Sequence, residues 1–331
     1  MNSIKVRELS IDWLKFVSVF LIINSHSDIM YPKYSILATG GAIGDCLFLF
    51  ISGFTLWLNK NSFPSFGNWY KRRINRIYPT VIVWAMIAGW MGYRYIECKD
   101  LLMCGGGGEF ISSIMIYYVL LYAIRKYAIN QLKYIYLIII GITLLVYWLW
   151  FPYKYEVSSK GIYGISTYFR WIPYFAFMLM GAHIGQIKNS IVFNLKKDVL
   201  LFLVNLVVFY GMQLLMKKYA VIAPYQIFTL FPLVGIVFYF YKICNAEILE
   251  ELLKRKWICS IVMTAGGLCL ESYLIQNSFF TDKLNFMFPL NLFVIAIEIM
   301  IASYLVRCAA RFFSQTFDSE DYNLMAIFKV Y

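Results

Sequence analysis

The chain has 331 residues, of which 61% are hydrophobic, 19% aromatic and 15% charged. A soluble domain of this length cannot hide so much apolar surface, which excludes a water-soluble enzyme or binding module. The formal net charge of +12 does not mark a nucleic-acid partner, because the basic residues fall between long apolar runs.

Those runs are long enough to cross the roughly 30 Å hydrocarbon core of a bilayer, so the lipid bilayer is the first expected partner. The pattern lacks short alternating strands, and helices are the other way to satisfy backbone polar groups in lipid. The sequence predicts an all-α, polytopic membrane protein with spans at 11–29, 41–58, 78–96, 110–124, 134–150, 168–186, 199–216, 225–242, 257–279 and 288–308. With the N-terminus in the cytoplasm and each span reversing direction, nineteen Lys and Arg up to Arg311 fall on the inner side and nine on the outer, leaving aside Lys15 within the first span. That is the asymmetry of the positive-inside rule, with both termini inside. A membrane domain is expected over 1–311 and a cytoplasmic tail, too short to fold alone, over 312–331.

The first run follows Lys5 and Arg7, as a signal peptide would. No small-residue cleavage site follows it, and Asp12, Lys15 and His26 interrupt it, so it reads as a retained helix. Ionisable groups inside a span are costly and need a reason. Lys15 and His26 are eleven residues apart, about 16 Å along a helix and close to three turns, which puts them on nearly the same face. Two readings are open. The lysine snorkels inward while the histidine caps the outer end, or the two serve chemistry along one face.

The second span begins Gly44-Asp45 and continues Cys46-Leu47-Phe48-Leu49-Phe50-Ile51-Ser52-Gly53-Phe54. Asp45 is expected at the outer level. There it either accepts the His26 imidazole N–H and fixes its tautomer, or sits in interfacial water. Ser52 and Gly53 read first as small residues that let helices approach. The following inner loop carries Lys71-Arg72-Arg73-Ile74-Asn75-Arg76-Ile77-Tyr78-Pro79. Arg73 and Arg76 share one face of the helix entering the third span. Their forked groups suit phosphate recognition, while plain topology anchoring or lipid-headgroup contact accounts for the same cluster.

The fourth span follows Cys104-Gly105-Gly106-Gly107-Gly108. The seven cysteines are scattered without metal-ligand spacing, so no metal is expected, and Cys98 and Cys104 are candidates to pair in an outer loop. Arg170 opens the sixth span from outside. His183, within Gly181-Ala182-His183-Ile184-Gly185, reads as structural, its glycines as helix-packing residues. The ninth span carries Leu270-Glu271-Ser272-Tyr273-Leu274-Ile275-Gln276-Asn277, and the tenth carries Glu298. A buried Glu271 requires a partner that the sequence does not name.

In order, these motifs resemble the acyltransferase family 3 membrane proteins. Asp12-Trp13-Leu14-Lys15 with His26 resembles that family's opening motif. Gly44-Asp45 running into Phe48 to Phe54 is similar to its second-helix signature, and Arg72 to Pro79 to its arginine motif. Leu270 to Gln276 resembles the motif on its penultimate helix. The resemblance covers nearly the whole chain. It implies a ten-helix O-acyltransferase in the bacterial plasma membrane that moves acetyl from acetyl-CoA to a surface polysaccharide or lipid-linked glycan. It also implies that His26 is the catalytic histidine and that Arg73 and Arg76 hold coenzyme A phosphates. There are two departures: Lys15 stands where many members have Arg, and Gln276 where many have His.

On this reading the donor docks at Lys15, Arg72, Arg73 and Arg76, and His26 acts as general base with Asp45 as orienter. A covalent acyl-histidine is the alternative course. Ser52, Tyr273 and Gln276 are oxyanion candidates, and Arg170 and Glu271 substrate-binding candidates. A rival class is a flippase or transporter of a lipid-linked glycan, for which buried charges are equally expected. The chain shows none of the internal repeats that transporters often carry.

Overall fold

The structure is a computed structural model that describes residues 8–58, 64–93, 108–157, 160–164 and 168–330. Among the described residues every regular element is helical. In chain order the α-helices are α1 (Leu9–Ser25), α2 (Gly41–Leu58), α3 (Phe66–Trp90), α4 (Gly108–Tyr127), α5 (Leu132–Trp150), α6 (Trp171–Ile187) and α7 (Leu195–Lys218). They continue with α8 (Leu230–Cys244), α9 (Glu247–Lys254), α10 (Lys256–Gly267), α11 (Cys269–Ile275), α12 (Leu290–Gln315) and α13 (Leu324–Ile327).

Among the described residues five helical segments are long and apolar enough to cross a membrane: Ser35–Leu58, Ile129–Trp150, Leu195–Lys218, Ala220–Cys244 and Leu290–Gln315. Counting the bent pair Lys256–Gly267 and Cys269–Ser278 as one span makes six. The proposed Cys98–Cys104 pair lies outside the described residues.

Three elements differ from expectation. The ninth segment is not one straight helix but two, bent by 55° between Gly267 and Cys269. Gly266 and Gly267 are adjacent weak helix formers, and a break there frees carbonyls that need other donors. The helix of the third segment starts at Phe66, because the Ser65 side chain accepts from the Asn68 N–H at 3.5 Å and caps it. That makes the whole arginine motif helical. The helix also continues through Pro79, which removes a single backbone bond, to the Asn75 carbonyl. The first helix ends at Ser25, before His26.

The described chain groups into two compact units. The first comprises Met1–Lys15, Asp45–Asn61 and Ile124–Ser260. Within it α5 packs on α6 and α7 on α8. Tyr147, Phe151, Ile162, Phe169 and Ile227 form a buried cluster there, and the Tyr147 hydroxyl donates to the Pro224 carbonyl at 2.6 Å. The crossing of α2 and α6 is closer than any side chain allows. A Cβ on Gly53 would lie 1.8 Å from the Met178 carbonyl oxygen, and one on Gly181 1.9 Å from that of Phe50. Both glycines act as helix-packing residues, and His183 sits half-buried beside Gly181.

The second unit comprises Phe16–Gly44, Ser62–Ala123 and Ile261–Tyr331. Here α12 packs against α3 and α11. The tail folds back on α12. Tyr304 donates its hydroxyl to the Phe328 carbonyl at 2.8 Å, and Arg311 Nη1 donates to that of Ile327 at 3.1 Å. Asn323 caps α13 by accepting from the Ala326 N–H at 3.0 Å.

Candidate functional site

His26, the three arginines, Glu271, Tyr273 and Gln276 belong to the second unit; Lys15, Asp45, Ser52 and Arg170 belong to the first.

His26 is half-buried in the turn that closes α1, its N–H donating to the Ile23 carbonyl at 3.2 Å. His26 thus stands directly after the last residue of α1. The turn and the segment after it are pinned by asparagines. Asn24 Nδ2 donates to the carbonyls of Leu37 at 2.8 Å and Thr39 at 2.9 Å, and its Oδ1 accepts from the Tyr31 hydroxyl at 2.5 Å. Asn291, fully buried on α12, donates to the Met30 carbonyl at 2.8 Å, and Asn285 to that of Ile29 at 3.0 Å. Short polar side chains bonding nearby backbone stabilise such non-helical segments. The segment also packs on glycines. A Cβ on Gly44 would lie 2.7 Å from Ile22 Cγ1, and one on Gly41 2.7 Å from Ser25 Oγ. Gly40 adopts a φ of +103°, a conformation that glycine takes without strain.

The arginines differ from one another. Arg72 and Arg76 are exposed and four residues apart, so they share a face of α3. Arg73 is half-buried, its guanidinium 5.5 Å from the Trp69 ring centre and 5.8 Å from that of Tyr118 on α4. Arginine held over aromatic faces gains a cation–π attraction and a fixed direction. Its Nε is buried without a hydrogen-bond partner.

On α11, Glu271 is 4% exposed and is fully engaged: Arg307 Nε donates to Oε1 at 3.1 Å and Nη2 to Oε2 at 2.8 Å. The partner that the sequence leaves unnamed is thus a residue read only as an inner-side topology charge. A carboxylate bonded on both oxygens by a part-buried guanidinium fork is a paired anion within the helix packing. Tyr273 packs on Phe110 with ring centres 5.4 Å apart. Gln276 is 1% exposed and its Oε1 has no hydrogen-bond partner. Glu298, by contrast, lies on an exposed face of α12.

In the first unit Lys15 is half-buried on α1, three residues after the buried Asp12 and so on the same side of the helix. Asp45 and Arg170 are brought within electrostatic reach of each other, and buried Tyr174 lies within reach of both. Ser52 is buried next to the Gly53 crossing.

Sequence reasoning missed Asn24, Asn291 and Arg307. A polar residue in an apolar run is the signal that points to Asn24 and Asn291. Nothing in the sequence pairs Arg307 with Glu271, thirty-six residues away.

Long apolar helices, with ion pairs and amide side chains turned inward, define a helical integral membrane protein with a polar interior. That interior is too elaborate for a passive anchor. The chain belongs to acyltransferase family 3: the family described as Acyltransferase domain (Acyl_transf_3) matches residues 8–309. It is therefore a membrane acyltransferase. Comparison with curated proteins and with solved structures gives no match.

Proposed function

We propose that the protein transfers an acetyl group from cytoplasmic acetyl-CoA to a hydroxyl of an extracytoplasmic glycan, either a surface polysaccharide or a lipid-linked precursor. In this reading the chain lies in the plasma membrane of a bacterium, crosses it ten times and keeps both termini inside. The parallel course of α2 and α6, in which Gly53 meets Met178 and Gly185 lies near Phe54, supports that topology. Two even-numbered spans must run in the same direction.

The observation that carries the reading is the built turn around His26, in a chain whose family is acyltransferase. A histidine on a turn whose backbone is pinned by buried amides suits general-base work. His26 takes the proton of the acceptor hydroxyl as its oxygen attacks the thioester carbonyl. The C–S bond then breaks, and coenzyme A leaves as the thiol with that proton. On the inner side, Arg72 and Arg76 offer two exposed forks to the donor's phosphates, and Arg73 orients the helix face by stacking. Lys15 adds a positive charge without a fork. Asp45 lies within electrostatic reach of Arg170 and serves as a positioning residue, while Gln276, directly after α11, is the polar contact offered there.

The test is acetyl transfer from labelled acetyl-CoA in membranes. His26→Ala, at parental expression, is expected to lose about 100-fold or more, the usual range for a general base. Parental activity in that variant would sink the mechanism. The double variant Arg72→Ala/Arg76→Ala is expected to raise the KM for acetyl-CoA while leaving the acceptor KM alone. Loss of O-acetyl signals from the surface polysaccharide of a deletion strain would identify the acceptor.

A further inference from the structure

A single side chain ties the break between α10 and α11. Arg307, on α12, holds both oxygens of Glu271 and also donates from Nη2 to the Gly267 carbonyl. Gly267 ends α10 and Glu271 is the third residue of α11, so the guanidinium spans the point where the chain bends by 55°. The end of a helix leaves carbonyls without intrahelical donors, and here the arginine supplies one. A turn earlier on α12, the buried Ser303 hydroxyl lies 3.3 Å from that of Ser272, a second contact with α11. Four residues beyond Ser272, in the 3-10 turn that directly follows α11, lies Gln276 with its buried, unpartnered Oε1. An unpaired buried amide oxygen is destabilising, and the packing of the fold alone does not account for it.

We propose that Arg307 is a positioning residue for acyl transfer. By holding Glu271 and the Gly267 carbonyl together it fixes the angle between α10 and α11, and so aims Gln276 at a hydrogen-bond donor of the bound substrates. Arg307 touches neither substrate, and Glu271 serves to anchor the guanidinium. This rests on the acetyl-transfer reading above, but the bend itself can be measured without it.

The experiment uses the full-length protein with Glu271→Met/Arg307→Met, and separately with Arg307→Lys. Replacing a whole buried ion pair with apolar side chains is often neutral or better for stability. Rates are taken per folded molecule. The double variant is expected to lose about 100-fold in kcat, the scale of a 1 Å misplacement, with the KM for acetyl-CoA unchanged. Arg307→Lys, which keeps the charge but cannot fork to both partners, is expected to lose about tenfold on the same grounds. Spin labels at Ile261 and Asn277, on either side of the break, are expected to give a narrow distance distribution in the parent and a broad or shifted one in the double variant. Parental kcat in the double variant, or an unchanged distance distribution, would overturn the proposal. Parent membranes that transfer no acetyl would instead count against the function proposed above, with the distance measurement still deciding the role of Arg307.

Discussion

In the first unit the crossing of α2 and α6 is backbone against backbone, with Gly53 under the Met178 carbonyl and Gly181 under that of Phe50. In the second, α11 meets α12 through a directed side-chain bond, Arg307 to Glu271, with the Ser303 and Ser272 hydroxyls in contact beside it. Its His26 turn is held in the same way by Asn24 and Asn291. Contact through glycine brings helices close but fixes no chemical direction. Hydrogen bonds to an arginine fork or an amide do fix one. Ion pairs of the first unit, such as Lys242 to Asp198 at 2.5 Å, also tie helices. There, however, the carboxylate additionally accepts the Asn194 N–H at 2.8 Å, at the start of α7, which marks it as part of a helix cap. The first unit shows its closest contact in backbone packing, and the second pins by side-chain bonds the segments that carry His26 and Gln276.

Substitutions can break or sharpen this contrast. The largest effect is expected at the glycine crossing. Gly53→Ala or Gly181→Ala drives a methyl into a carbonyl and is expected to destabilise by roughly 4 kcal/mol or more, beyond the range of ordinary substitutions. Thermal unfolding in detergent checks it, and a melting point equal to the parent's would mean the helices are not in backbone contact. Asn291→Ala comes next. It strips the buried Met30 carbonyl of its donor, and is expected to cost about 1–3 kcal/mol and to lower kcat through the His26 turn. The KM for acetyl-CoA should stay unchanged, and steady-state kinetics on both substrates would separate the two effects. The smallest is a control. Gly211, on α7 of the first unit, has open space where a Cβ would go. Gly211→Ala is expected to stabilise by up to about 1 kcal/mol, and a loss of stability there would mean that the space beside Gly211 is filled by a neighbour.

Much of the site was legible in the primary structure because its residues violate local rules. His26, Asp45 and Glu271 are ionisable groups in apolar runs, and Gly53 and Gly181 are small residues in bulky ones. Arg72, Arg73 and Arg76 were legible as a cluster but not as individuals. Only the position of Tyr118 on α4 shows that Arg73 is stacked while its neighbours are exposed. The bend at Gly267 left a trace in the paired glycines. Its size depends on a guanidinium that arrives from another helix.

The sequence by itself determined that the protein is helical, that it is built for a bilayer, and which polar residues require an explanation. Each of these follows from composition and spacing along one chain, where the cost of burying a charge in lipid is a local matter. Tertiary structure decided which partner satisfies each polar group. It gave Glu271 to Arg307, the Met30 carbonyl to Asn291, and left Gln276 Oε1 unpaired. Hydrogen bonds and ion pairs act over a few ångströms, so residues far apart in sequence become partners only once the helices pack.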